Sequence, residues 1–401
     1  MSGNRALPFA AIGSGGGSED VGSTRRENAM RESDQTDPDE IVTVLLPEDE
    51  YTHTPDAAEN YNESMYLNVF DLGLEVGGWF RLGNRVNEGH AEMSVCIYLP
   101  DGRVGFMYDR PKIDNNDAMD AGGLTITVVE PFEHLTVTYE GRVCLLDDPS
   151  EMADPRAAFG TNPMVDCSVR LDYRAVSPMY GGRPQYADGR EIETLNGFAK
   201  AHYEQHCSVI GTITVGDAVD VAGRDARDGR DGRDGRDGVV MEIDGMGLRD
   251  KSWGPRYWQA LTWYRWLPMV FNENFAMMLS VIDRGIRDDG SARTPSASGM
   301  VLVGNEYHRV TDCRIEADWN EAGEQTAMRC WAQTDEREYE VTGEVLSMIP
   351  LRSRRTTPDG NQLHTRITEA MTRYECDGHV GLGMSEFLDQ VVDGWPIGVP
   401  R

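Results

Sequence analysis

The chain has 401 residues, enough for two domains that each bury a core. Its 68 acidic residues against 38 basic ones leave a formal net charge of −30. That balance excludes a face able to neutralise phosphates and disfavours an anionic membrane surface, so neither nucleic acid nor lipid headgroups are expected as partners.

Lysine occurs only at Lys112, Lys200 and Lys251. Acid excess spread along a foldable chain in which arginine replaces lysine fits a protein kept soluble in molar salt, where screening makes self-repulsion tolerable. A GC-rich codon bias accounts for the arginine but not for the acids. The seven cysteines (96, 144, 167, 207, 313, 330 and 376) include no CxxC pair, a pattern of reduced thiols in an intracellular protein. No apolar run approaches the roughly 18 residues of a membrane span, and "LPFAAIG" is too short for a signal peptide. A cytoplasmic location is therefore expected.

In chain order, residues 1–40 are rich in Gly, Ser and charge without apolar periodicity and are expected to be a disordered tail. From Met65 onward the pattern is strand-like: "SMYLNVFD", "GGWFRLG", "HAEMSVCIYLPDGRVGFMYDRP", "LTVTYEGRVCLL" and "DCSVRLDYRAV" alternate between Gly, Pro, Asn and Asp breaks. Pro100-Asp101-Gly102 reads as a hairpin turn, because Pro presets the entry and Gly accepts a positive φ. A short helix is expected near 190–200. These strands make an N-terminal domain over 41–222.

"GRDARDGRDGRDGRDG" (223–238) repeats Arg-Asp-Gly without proline, so a collagen triple helix is excluded. Its five arginines and five aspartates cancel, which predicts a hydrophilic, glycine-hinged loop. Strand patterns resume after it, from "VVMEIDG" through "GHVGLGMSEFL", giving a C-terminal domain over 239–401. The fold class predicted is all-β, as two antiparallel domains in tandem.

"GLRDKSWGPRYW" (247–258) concentrates bulky aromatics and both signs of charge. Its "RDKSWGPR", together with "YNESMYLNVFD", "GGWFRLGNRVNEGHAEM", "LPDGR" and "EAMTRYECDGHVGLGMSEF", resembles the carotenoid 1,2-hydratase-like superfamily, which includes AttH-like proteins and uncharacterised tandem lipocalin-like families. The resemblance implies two tandem lipocalin-like antiparallel β-barrels with an apolar cavity; a hydrophobic small molecule is the expected partner, and no cofactor or metal is expected. In the hydratase branch the chemistry is addition of water to an isoprenoid double bond, and the motif aspartate is the acid. That role falls on Asp250, with Trp253 and Gly254 matching the rest of the motif.

Hydration of an alkene needs an acid to protonate carbon, protection of the resulting cation and a positioned water. An apolar wall raises a carboxyl pKa and suits Asp250 for the first task; indole faces at Trp253, Trp258, Trp263 or Trp266 suit the second. Arg256, Tyr257 and Glu204 complete the expected ligand-binding set. Arg249, Lys251 and Arg256 flank Asp250, however, and an Asp250–Arg256 pair would make the motif a buried clamp instead. His202, Glu204 and His206 share one strand face with a spacing that permits metal ligation, but no further ligand is evident in the sequence nearby, so a solvent-facing or hydrogen-bonded set is expected. Arg81, Asn84, Asn87 and Glu88 read as turn or rim chemistry, and Glu369, Tyr374 and Glu386 as surface residues or satisfied hydrogen bonds. Three readings stay open: a hydratase- or isomerase-type lyase on an isoprenoid, steroid or lipid; a noncatalytic carrier of the same ligand class; and packing without ligand. The sequence does not set the oligomeric state.

Overall fold

The structure, a computed structural model, describes residues 39–192, 199–216, 238–256, 258, 261–285, 293–356 and 360–401. All but the last two residues of the expected tail, all but the last residue of the Arg-Asp-Gly segment, and Tyr257 lie outside these residues. The described part of 190–200 contains no helix, and 193–198 lie outside the described residues.

Sixteen strands build two closed barrels. The first comprises β1 (Tyr61–Asp71), β2 (Val76–Arg85), β3 (His90–Tyr98), β4 (Val104–Asp109), β5 (His134–Leu146), β6 (Met164–Ala175), β7 (Ala201–Val215) and β8 (Val239–Pro255). Each is antiparallel to the next, and β8 returns to pair with β1. The second comprises β9 (Trp263–Asn272), β10 (Phe275–Asp283), β11 (Ser296–Val303), β12 (Glu306–Trp319), β13 (Gln325–Thr334), β14 (Glu338–Thr356), β15 (Gln362–Cys376) and β16 (His379–Val392), closed by β9 against β16. The all-β, tandem-barrel fold read from the sequence is the fold found.

The strand pairing moves the division between the two units. Val215 on β7 faces Val239 on β8, so the segment 216–238 joins two neighbouring strands of the first barrel. A polar, repetitive stretch resembles an interdomain linker in composition, yet a long hairpin connection costs little more than a short one. The chain passes from one barrel to the other between Pro255 and Trp263.

The interior of the first barrel is filled. Leu67, Phe80, Leu82, Val95, Val137, Val169 and Val209 belong to one buried cluster. At one end, the 3-10 turn Pro47–Glu50 places Glu50 against Arg249 (2.6 Å), the Tyr203 hydroxyl (2.6 Å) and the Phe132 amide (2.8 Å). Lys251 meets Glu63 at 2.9 Å beside it. The outward faces of β1–β3 are buried as well, because the second barrel covers them: Tyr66, Trp79, Cys96 and Tyr98 pack with Ile349, Met371, Leu382 and Met384. Alternation is therefore lost in burial although it persists in direction. All seven cysteines are buried and free, and among the described residues no helix is long and apolar enough to cross a membrane.

Candidate active site at the seam between the barrels

Period-two geometry splits the motif across the wall of the first barrel. On β8, Arg249, Lys251 and Trp253 point inward, where Trp253 stacks on His53 at 4.1 Å between ring centroids and lies 6.2 Å from Tyr203. Asp250 and Ser252 point outward, to the seam. Gly254 sits at φ +115°, with the Lys200 backbone nitrogen 2.8 Å from where a Cβ would be, so no other residue fits there. The spacing Asp-x-x-Trp-Gly thus reflects one outward acid, one inward aromatic and one backbone constraint.

Register brings the seam residues together. Glu204 on β7 lies directly opposite Asp250 on β8, and His202 opposite Ser252. The His202 Nε2 meets the Asp250 Oδ2 and lies 3.6 Å from the Glu204 Oε1. From the second barrel, Trp266 on β9 donates its indole N–H to Glu204 Oε1 at 2.8 Å. Trp266 is in register with Glu386 on β16, which is in turn in register with Glu369 on β15. Tyr264 donates to Glu386, and Tyr66 donates to Glu369 at 3.1 Å. The Arg81 and Arg256 guanidinium carbons lie 5.4 and 4.5 Å from the Trp258 ring centroid, and Arg256 also donates to Ser252 Oγ at 3.1 Å.

The electrostatics separate these groups into roles. Burial pushes the Glu386 carboxyl up to about 8 against the pull of Arg256 and Arg81, and pushes Glu369 to about 8 against its bond from Tyr66. Like charges facing each other across strands also oppose ionising both. Burial carries Glu204 to about 7, His202 opposing and Asp250 adding. Burial disfavours the His202 cation, yet the charge and hydrogen bond of Asp250 outweigh it and raise His202 to about 9. At neutral pH the seam holds two neutral carboxylic acids, a carboxyl near its midpoint and the His202 cation against Asp250.

Of the residues expected from sequence, Asp250, Glu204, Arg256, Trp258 and Trp266 meet here. Trp253 and Trp263 do not: Trp253 faces the interior of the first barrel, and Trp263 lies 5.0 Å from the Arg265 guanidinium, which pairs with the buried Asp389. Asp250, expected as the acid or as the partner of Arg256, is held by His202, a contact made through strand pairing. His206, grouped by spacing with His202, turns to Tyr307 Oη at 2.9 Å and the Met277 carbonyl at 3.2 Å. Asp250 takes its place as third member of a set whose donor atoms lie within 4.8 Å of one another. These atoms can surround a cation only if it displaces the His202 proton. Glu369 and Glu386, read as surface or structural, and Tyr66 and Tyr264, not singled out by sequence, are the residues missed. The "EAMTRYECDGHVGLGMSEF" likeness pointed to the strands of Glu369 and Glu386, and "YNESMYLNVFD" to that of Tyr66.

The profile of a domain of unknown function, DUF7064, matches residues 46–228 and 234–391. The chain belongs to the DUF7064 family. Solved structures similar to this DUF7064 chain include a protein of Nitrosomonas europaea assigned to AttH, 14% identical over 88% of this chain and 97% of that one, with a TM-score of 0.47. They also include CghA, 11% identical over 90% of this chain and 98% of that one, TM-score 0.47. Kievitone hydratase from Nectria haematococca is 8% identical over 88% of this chain and 94% of that one, TM-score 0.49. Two of these three carry an AttH or a hydratase name. No curated protein matches the DUF7064 chain.

Proposed function

We propose that the seam is the active site of a hydratase-type lyase that adds water to, or removes it from, an apolar small molecule. The observation that carries this reading is the pairing of an acid held neutral, Glu386, with a carboxyl near pH 7, Glu204, on either side of Trp266. Glu386 delivers its proton to one carbon of a double bond. Glu204 takes a proton from water as the water oxygen bonds to the other carbon, and the cycle closes when that proton returns to Glu386 through solvent. Groups with pKa values near the working pH suit both transfers. The indoles of Trp266 and Trp258 face the cationic carbon through their quadrupoles. Asp250 orients His202 and fixes charge beside Glu204, and Tyr264 orients Glu386.

The test is incubation of the protein with an apolar extract of its source cells in oxygen-18 water. Mass spectrometry is expected to show a compound that gains one labelled oxygen, with Glu386→Gln binding the same compound and leaving it unlabelled. Recovery of an unaltered bound compound from both proteins would favour the carrier reading and reject the lyase.

A further inference from the structure

At the seam the buried Arg81 shares its carboxylate partner. Glu92 is shared by Arg81 at 3.2 Å, Arg85 at 3.2 Å and Arg110 at 3.7 Å; Arg85 also pairs with Glu88 at 2.8 Å, and Arg110 is largely exposed. Glu369 and Glu386, which face the same region from the second barrel, are neutral as described above. A buried cation that shares its anion is incompletely compensated, so Arg81 favours a ligand that supplies a second one.

Polar atoms of two side chains have no hydrogen-bond partner among the described residues and converge on one spot. Arg81, 9% exposed, leaves Nη2 without a partner; Asn62, 1% exposed, leaves both side-chain atoms without one. Both reach over Gly83. A Cβ there would lie 2.8 Å from Arg81 Nη2 and 2.9 Å from Asn62 Oδ1, so these ends are no more than about 6 Å apart. The absence of a side chain at Gly83 lets a guanidinium and an amide that can turn its N–H come together over the backbone, and a carboxylate bridges donors at that separation with bonds of about 2.8 Å.

We propose that Arg81, Asn62 and the bare Gly83 form an oxyanion subsite that binds the carboxylate of an otherwise apolar acid. This rests on the reading of the seam as a ligand site and names the class of ligand: an amphipathic carboxylic acid, its charge at Arg81 and its apolar body along Trp258 and Trp266. A global charge of −30 repels anions, so affinity for one has to come from a local site.

Isothermal titration of the full chain with decanoate and with 1-decanol tests it. One decanoate per chain is expected to bind about tenfold or more tighter than decanol. Arg81→Met and Gly83→Ala are each expected to weaken decanoate by about tenfold while leaving decanol within about twofold, and Arg81→Lys to fall between. Circular dichroism confirms that each variant is folded, and Gly83→Ala serves if Arg81→Met is not, because the nearest contacts of its methyl are the ends of two side chains and no backbone atom. Absence of decanoate binding, equal affinity for decanol, or folded variants that bind decanoate unchanged overturns the subsite. Oxygen-18 uptake that persists in that case leaves the acid–base reading standing, whereas loss of uptake in Glu386→Gln is indifferent to which oxygen the ligand carries.

Discussion

The His202 imidazole on β7 is paired with the Asp250 carboxylate on β8, beside Glu204 on the same outward face. The half-exposed ring owes its raised pKa to this partner, burial alone acting the other way. In Asp250→Asn, the His202 titration followed by NMR is expected to move from about 9 down toward the ordinary 6.5. A histidine that still titrates near 9 would show that Asp250 is not its charge partner.

The rate of labelled-water uptake is expected to be bell-shaped in pH. It rises as Glu204 ionises through about 7 and falls as Glu386 loses its proton through about 8. The groups facing them, His202, Asp250, Glu369, Tyr264, Arg81 and Arg256, set these limits; Glu386→Gln removes the activity, and Asp250→Asn shifts the acid limb through Glu204. A profile flat from pH 6 to 9 rejects the assignment, that window being roughly one unit beyond each limb.

Stability carries the same signature. Glu369 and Glu386 have folded-state values raised from 4.5 to about 8, so their contribution is full below 4.5 and is lost as pH rises through about 8. Melting temperatures are expected to fall from neutral pH to pH above 8, and the double change Glu369→Gln with Glu386→Gln to flatten that fall. An alkaline loss of equal size in the double variant points to other groups.

Glu50 and Arg249 form a desolvated pair at the closed end of the first barrel, with side chains 0% and 3% exposed. Glu50→Gln leaves Arg249 uncompensated and is expected to cost ~3–5 kcal/mol in urea unfolding, while Glu50→Gln with Arg249→Met costs much less. Single and double variants of equal stability would show that the pair is not the closure of that end.

Deleting residues 224–237 is expected to leave the melting temperature nearly unchanged. Gly216 and Gly238 already lie side by side, a Cβ on the first being 3.1 Å from the Cα of the second, and loop length enters stability only logarithmically. A large loss on deletion overturns this. Melting temperature is also expected to rise steeply between low and molar KCl as screening relieves the repulsion of a −30 chain, a flat curve rejecting the halophilic reading.

Local chemistry in the sequence determined the strands, the Pro100-Asp101-Gly102 turn, where Gly102 adopts φ +87° and its amide bonds back to the Leu99 carbonyl at 3.0 Å, and the all-β class, since alternation and turn residues act over a few neighbours. It also marked Asp250, Glu204, Arg256 and Trp258. The tertiary structure alone decided which side of the wall each side chain takes: Trp253 lies three residues from Asp250 in sequence yet on the opposite face, because a strand reverses direction at every residue. Pairing decided the rest. Asp250 meets His202 across 48 positions through the β7–β8 register, and Glu386 and Glu369 reach the seam only because the second barrel packs there and excludes water. Burial, which raises those two carboxyls, is a property of the packed pair of barrels and is written in neither strand by itself.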